Sequence, residues 1–248
     1  MWRCRFALPI VLSAAGLSLP LAPPTASPAW RAPAAPTTFT RTVIKLGAFR
    51  GLTVRGCLDE TQPGQPARPV RQPVTLEYQR RPAAAWRRLQ VIRPTSDSNY
   101  CAAGSSAWSA MVTAPVTAAW YRLSFAGTAA LSAAASRPVH LWRRPTRVTA
   151  YRVTPRRVAD GSAITISGRL WRHAAAGWTP YPRRRVVILF RYEGDWYYFL
   201  FHPLTNALGY FSGRFTVHVT AIWVAQYDGN RTHFGSASAP ADVRVTGG

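Results

Sequence analysis

The chain has 248 residues, 48% of them hydrophobic, which excludes wholesale disorder and leaves room for one large or two ordinary domains. It carries 31 basic residues against 9 acidic ones, a net charge of +22, and Lys45 is its sole lysine. So few carboxylates leave little material for acid–base catalysis, and so large a positive charge attracts polyanions while opposing self-association.

Residues 1–29 have the pattern of a secretory signal. Arg3 and Arg5 open it, Phe6 to Leu21 is its apolar run, and Ser27-Pro28-Ala29 offers small residues where a signal peptidase cuts. The rival reading is a retained membrane anchor, but the run is short for a spanning helix, which needs about 20 residues. Without this segment the chain keeps 29 basic and 9 acidic residues, a charge of +20. Residues 30–41, rich in Pro, Ala and Thr, predict an extended or flexible lead-in.

From residue 42 the apolar residues alternate with polar ones, the period of half-buried strands. Strands are predicted around Val43–Leu46, Leu52–Leu58, Val74–Tyr78, Trp86–Ile92, Trp108–Val112, Tyr121–Phe125 and Val139–Trp142. After Arg143-Arg144-Pro145 the plan starts again. Val148–Val153, Ile164–Leu170, Val186–Phe190, Trp196–Phe201, Phe211–Val219, Trp223–Tyr227 and Val243–Val245 are the second set, with a hairpin turn at Glu193-Gly194-Asp195. Tyr121, Leu123, Phe125 and Gly127 match Trp223, Ala225, Tyr227 and Gly229, and Ser136 and Pro138 match Ser238 and Pro240 in register. No stretch of either half sustains an apolar period of 3.6. The sequence therefore predicts an all-β chain: two tandem antiparallel β-sandwiches of about seven strands, residues 42–143 and 144–248.

Arg55-Gly56-Cys57-Leu58 and Ser167-Gly168-Arg169-Leu170, a Trp opening the fourth strand (Trp86, Trp196) and the Tyr121–Gly127 and Trp223–Gly229 elements carry a resemblance. On these residues both halves resemble the Ig-like β-sandwich repeats of secreted actinobacterial proteins, over residues 42–246. The resemblance implies a fold and an exported setting but no activity, since such folds host many functions. The chain departs from an antibody-type domain in having no cysteine on its sixth strand.

Little in the sequence points to chemistry. Asp59, Glu60, Glu193, Asp195 and Asp228 read as turn residues bonded to nearby amides. His140, His173, His202, His218 and His233 are not spaced as metal ligands, and His140 and His218 are expected on solvated strand faces. The Asp228-Gly229-Asn230 stretch has too few oxygens for calcium and reads as a turn. No nucleophile elbow or phosphate loop is present, so no enzyme, metal or cofactor is implied. A hydrolase on a sandwich would need an acid pair or His–acid pair that the sequence does not suggest.

The basic clusters are the remaining surface signal. Arg137, Arg143, Arg144, Arg147, Arg152, Arg156 and Arg157 crowd the inter-domain segment, and Arg183-Arg184-Arg185 adds a second group. Arg forks take carboxylate and phosphate bidentately, so the partner expected for them is an acidic envelope polymer or an anionic lipid surface, with no specific nucleic acid. The competing reading is solvated faces filled with the basic residue this genome prefers. Tyr192 beside Trp196-Tyr197-Tyr198 adds a possible aromatic strip for sugar rings. The chain reads as an exported, non-catalytic binding or structural module of the cell envelope or extracellular space, with an adhesin-like role as the alternative.

Cys57 and Cys101 are the only cysteines after the signal, and an even pair in an exported chain reads as a disulfide, against the alternative of two buried thiols. Alternation along Leu52–Leu58 turns Cys57 outward, so the bridge would pin the 97–104 loop to the outer surface of the sheet. It would stabilise by about 3–4 kcal/mol in the chain-entropy model. A non-reducing peptide map is expected to join the two cysteine peptides; two free thiols would exclude the bridge.

Overall fold

The computed structural model describes residues 33–94 and 107–247. The signal segment, Cys101 and the 97–104 loop lie outside the described residues. Among the described residues every regular element is a strand. The first nine are β1 (Thr37–Leu46), β2 (Gly51–Glu60), β3 (Arg68–Pro69), β4 (Val74–Gln79), β5 (Arg87–Ile92), β6 (Ala107–Thr113), β7 (Ala118–Phe125), β8 (Ala134–Ala135) and β9 (Val139–Trp142). Then follow β10 (Thr146–Thr154), β11 (Arg157–Ala159), β12 (Ala163–Ala174), β13 (Gly177–Pro180), β14 (Val187–Tyr192), β15 (Asp195–Tyr198), β16 (Tyr210–Thr216), β17 (Ala221–Tyr227), β18 (Ser236–Ala237) and β19 (Ala241–Thr246).

These form two Ig-like sandwiches in tandem. In the first, the sheet β1-β2-β3 with β6 on β2 faces the sheet β5-β4-β7-β8 with β9 on β7. In the second, β10-β12-β13 with β16 on β12 faces β11-β19-β17-β14-β15 with β18 on β17. Strands pair antiparallel except β11 and β19, which run parallel. Each sandwich closes on its own core. Leu52, Val54, Leu76, Tyr121 and Leu123 fill the first, and Ile164, Ile166, Ile188, Phe215 and Trp223 the second. β1 begins at Thr37, inside the stretch expected as a lead-in, because Thr37 to Thr40 pair with Cys57 to Glu60 and Phe39 packs on the core.

The duplication extends to single atoms. Ser136 Oγ accepts from Leu123 N at 2.9 Å, and Ser238 Oγ accepts from Ala225 N at 3.0 Å, each between residues 13 apart. Both serines are buried, so each hydroxyl satisfies an amide that water cannot reach. Thr128 Oγ1 accepts from the amides of Ala130 and Leu131, and Asn230 Oδ1 from those of Thr232 and His233. Gly127 and Gly229 have φ of 84° and 79°, and a Cβ at Gly229 would lie 2.7 Å from Gly235 N. Only glycine fits such a turn. A feature invisible in the sequence also repeats: β1 and β10 each carry a bulge, after Thr40 and after Thr149, where Arg41 and Ala150 share a φ of 49°.

Cys57 lies between the core positions Gly56 and Leu58 and is 1% exposed, so the outer face of β2 is covered at this point, whereas Arg55 on the same face is exposed. Asp59 and Glu60 are strand residues, not turn residues. Asp59 is buried and accepts from Thr40 Oγ1 at 2.6 Å, which replaces its lost hydration. Asp195 likewise opens a strand, and His218 falls just beyond the end of β16, because the ladder with β12 stops at Thr216.

The second repeat reaches into the first through the turn 228–235. Phe234, 3% exposed, belongs to the core of the first sandwich, and the Arg50 guanidinium sits 5.4 Å from its ring centre. Gly235 N donates to Ala48 O at 2.9 Å, and Phe49 packs against Gly235. Arg143 donates to the carbonyls of Asn230 and Leu46, one on each side of the junction. Arg144 N and O bond Thr232 O and Phe234 N, while Thr146 Oγ1 donates toward Phe234 O at 2.9 Å. Beside them His233 is buried, with Nδ1 3.2 Å from Tyr181 Oη and 2.8 Å from Thr232 Oγ1. Burial, then the charges of Arg172, Arg144 and Arg184, hold its pKa below the ordinary 6.5.

Two outcomes follow from this packing. Phe234→Ala should cost about 3–5 kcal/mol, and hydrogen exchange should show the loss in residues 44–141, far from it in sequence. Ser136→Ala or Ser238→Ala should cost about 1–3 kcal/mol by leaving a buried amide unpaired, read as a shift in urea midpoint. The pH dependence has a defined sign. Unfolded chains protonate His233 near 6.5, the folded protein only at lower pH, so this contribution is full above 6.5 and lost as the pH falls below it. A melting series from pH 7.5 to 5 should show a steeper loss for the native protein than for His233→Gln.

Candidate functional site

The expected arginine patch is not one surface. Arg143 is half-buried and spent on the junction carbonyls. Arg144 lies 6.0 Å over Trp142, and Arg137 is exposed before β9 in the first sandwich. Arg156 and Arg157 sit at β11, the far edge of the six-stranded sheet. The acid nearest them in sequence, Asp160, pairs with His218 at 2.9 Å, with both side chains largely in water. Arg184 turns inward over Tyr181 at 4.4 Å, while Arg183 and Arg185 are exposed.

Two of the expected residues, Arg147 and Arg152, share a surface with residues that sequence reasoning did not single out for binding. This is the outer face of β10, β12, β13 and β16. Leu170, Ile166 and Ile164 point into the core, so Trp171, Arg169 and Ser167 point out. The ladder sets Arg147 beside Trp171, Arg152 beside Ser167, Tyr210 beside Arg169 and Arg214 beside Thr165. The strand β13 adds Trp178 opposite His173, and their rings meet edge to face at 5.3 Å.

These side chains interleave. Arg147 lies 4.2 Å from the ring centre of Trp178 and 6.0 Å from that of Trp171. Arg169 lies 3.9 Å from Trp171 and 4.6 Å from Tyr210. The row is thus Trp178, Arg147, Trp171, Arg169, Tyr210. Hydrogen bonds fix it: Arg169 Nε donates to Leu208 O at 2.8 Å and Trp171 Nε1 to Thr149 Oγ1 at 2.8 Å. Each cation–π contact is worth about 0.5–1 kcal/mol at an exposed site, so stacking pre-orders long side chains that would otherwise move freely.

No carboxylate answers this charge within the face, because none of the four strands contains an Asp or Glu. A stacked guanidinium presents its N–H edge to solvent, where a carboxylate or phosphate oxygen can meet it in plane. Trp178 and Tyr210 remain 36% and 45% exposed, which offers ring surface beside those edges. The face can therefore take a ligand that is anionic at one group and apolar on one side.

The first sandwich lacks this row although it has the same strands. Register places Cys57 where the second has Arg169, and Asp59 where the second has Trp171. Both are buried, so the equivalent positions are covered. The signal that could have found the row is the sequence Arg169-x-Trp171 with Arg147 and Trp178. Seeing it needs the pairing of β10 and β13 with β12, which is not local.

Trp196, Tyr197 and Tyr198 of the expected aromatic strip are exposed, and the strip is also tied to the core. Tyr197 stacks on Phe190 at 5.3 Å, and Phe190 and Phe199 stack on the buried Trp223 at 5.2 and 5.4 Å. They line an apolar cavity of about 360 Å³ with Tyr192, His218 and Val219. Trp223 and Tyr227 are core residues. His140 stacks on Trp120 at 4.9 Å. Among the described residues no three of His, Cys, Asp and Glu gather as a metal site would require.

No protein-family model matches the chain, and no curated protein matches it. Among solved structures, a tetra-tandem repeat from the extending region of a large adhesion protein is 13% identical over 85% of this chain and 49% of that one, with a TM-score of 0.28. The adhesin InvE of Yersinia pseudotuberculosis is 12% identical over 84% and 58%, with a TM-score of 0.28. Chicken CNTN1 domains FN1–FN3 are 8% identical over 84% and 65%, with a TM-score of 0.25. The chain spans about half the length of the first of these and less than two thirds of the others. Likeness at this level carries no argument about activity or partner.

Proposed function

We propose that the chain is an exported, non-catalytic binding module of the cell envelope or extracellular space, and that it holds an acidic glycan on the outer face of β10, β12, β13 and β16. The observation that carries this reading is the Arg–Trp row on that face, with Arg147 and Arg169 stacked among Trp178, Trp171 and Tyr210 and no acid in the four strands. A uronic acid fits both halves of the surface, its carboxylate on a guanidinium edge and its ring face on an indole. The net charge of +22 adds long-range attraction to such a polymer. Export rests on the signal-like residues 1–29 and the resemblance to secreted Ig-like repeats. This reading places two of the arginines singled out from the sequence, Arg147 and Arg152, on the proposed face.

The test is binding of the full chain to a uronic-acid polymer, with a neutral polysaccharide and a single-stranded oligonucleotide as comparisons. The uronate polymer should bind more tightly than either, and the affinity should fall as salt rises from 0.05 to 0.3 M because exposed charges are screened. Arg169→Gln and Trp171→Ala should each weaken binding by about tenfold, the scale of about 1.4 kcal/mol, without loss of folding. Equal binding of the neutral polymer, tighter binding of the oligonucleotide, or full binding by both variants would refute the reading.

A further inference from the structure

The loop between β15 and β16 carries the largest apolar exposure among the described residues. Leu200 is 85% exposed, Phe201 60%, Leu204 66% and Leu208 59%. The exposure is built in. Pro203 and Thr205 point inward and are buried, so Leu204 between them points out. Thr205 Oγ1 donates to Tyr181 O at 2.7 Å and accepts from Arg184 N at 2.8 Å, which fixes the loop to the body.

The same bonds hold an arginine segment alongside. Arg183 N donates to Thr205 O at 2.8 Å, Thr205 N to Arg184 O at 2.9 Å and Val186 N to Pro203 O at 3.0 Å, and Arg185 bridges Leu204. With Arg184 turned in over Tyr181, the exposed Arg183 and Arg185 flank the apolar loop. The cavities beside it, of about 350 and 380 Å³, are lined by the three arginines and one acid, Asp228.

We infer that this loop is a membrane-docking tip, with Leu200, Phe201 and Leu204 entering the interface of an anionic bilayer and Arg183 and Arg185 meeting its head groups. A pinned apolar loop beside two exposed arginines has the two elements of interfacial binding, apolar burial and attraction to anionic lipid. The occupant is a lipid surface rather than a second copy, since self-pairing would set Arg183 and Arg185 of one chain against those of the other. This tip meets the Arg–Trp row at Leu208 O, which accepts from Arg169 Nε, but Leu200, Phe201 and Leu204 are not part of that row.

Flotation of the full chain with vesicles tests it, using phosphatidylcholine alone and phosphatidylcholine with 30% phosphatidylglycerol. The anionic vesicles should carry the protein and the neutral ones should not. The triple variant Leu200→Ser, Phe201→Ser, Leu204→Ser should lose at least tenfold in partitioning with its melting temperature unchanged. Arg183→Gln with Arg185→Gln should lose binding chiefly at low salt, and Arg169→Gln should bind as the native protein does. The inference is overturned if anionic vesicles are not bound, if the serine variant floats as well as the native chain, or if Arg169→Gln alone abolishes flotation. It is also overturned if the serine variant changes the sedimentation coefficient of the lipid-free protein, which would mark the loop as a contact between copies.

Discussion

Phe234 lies in a core to which its sequence position does not assign it. The turn that carries it belongs to the second repeat, yet its ring is buried with Leu52, Leu123 and Ile44 of the first. The corresponding turn of the first repeat has Ser132 at this place, and Ser132 bonds Thr37 within its own sandwich. One substitution in a duplicated turn thus supplies an apolar anchor, and the anchor decides how the neighbouring polar groups are spent. With Phe234 fixed, the carbonyls of Asn230 and Leu46 come within reach of one guanidinium, and Arg143 spans them. A half-buried donor that bridges two carbonyls is no longer available to a ligand, which explains why the densest run of basic residues is not the best surface for an anion.

The two repeats also act as controls for each other. The Ser136 and Ser238 clamps, the Thr128 and Asn230 turns and the bulges after Thr40 and Thr149 are shared, so they mark what the fold requires. What is not shared marks where the copies were free to differ. The outer face of β2 is covered at Cys57 and Asp59, whereas the corresponding positions of β12 are open and hold Arg169 and Trp171. Closing a face adds stability; opening it and stacking cations on indoles stores exposed charge in a defined geometry. That division of labour makes the second sandwich the one suited to contact.

The surface groups of the second sandwich form two chemically different features. The Arg–Trp row is flat, lies on a sheet, and mixes charge with rings at short distances. The 200–208 loop is apolar and exposed, and has its arginines beside rather than among the apolar groups. A flat interleaved surface suits a ligand with its charge and apolar face on one ring. An exposed apolar loop with flanking charge suits a layered medium that is polar outside and oily within.

Alternation along each strand determined the all-β class, the duplication and most core residues, because side chains of successive strand residues point to opposite faces whatever the partner strand. That local rule placed Tyr121, Leu123, Trp223 and Tyr227 correctly, and it found the Gly127 and Gly229 turns. It failed at Asp59, which is buried by a neighbour, and at the lead-in, where Thr37 to Thr40 pair across a bulge. The binding face could not be read because Arg147, Trp171, Trp178 and Tyr210 are separated by up to 63 residues and meet only through register. Nor could the fate of Phe234, whose partners lie in the other sandwich, or of Arg143, which bonds one carbonyl in each. Composition sets the supply of arginine and tryptophan; only strand pairing and docking decide which of them face water together, since that depends on contacts distant in the chain.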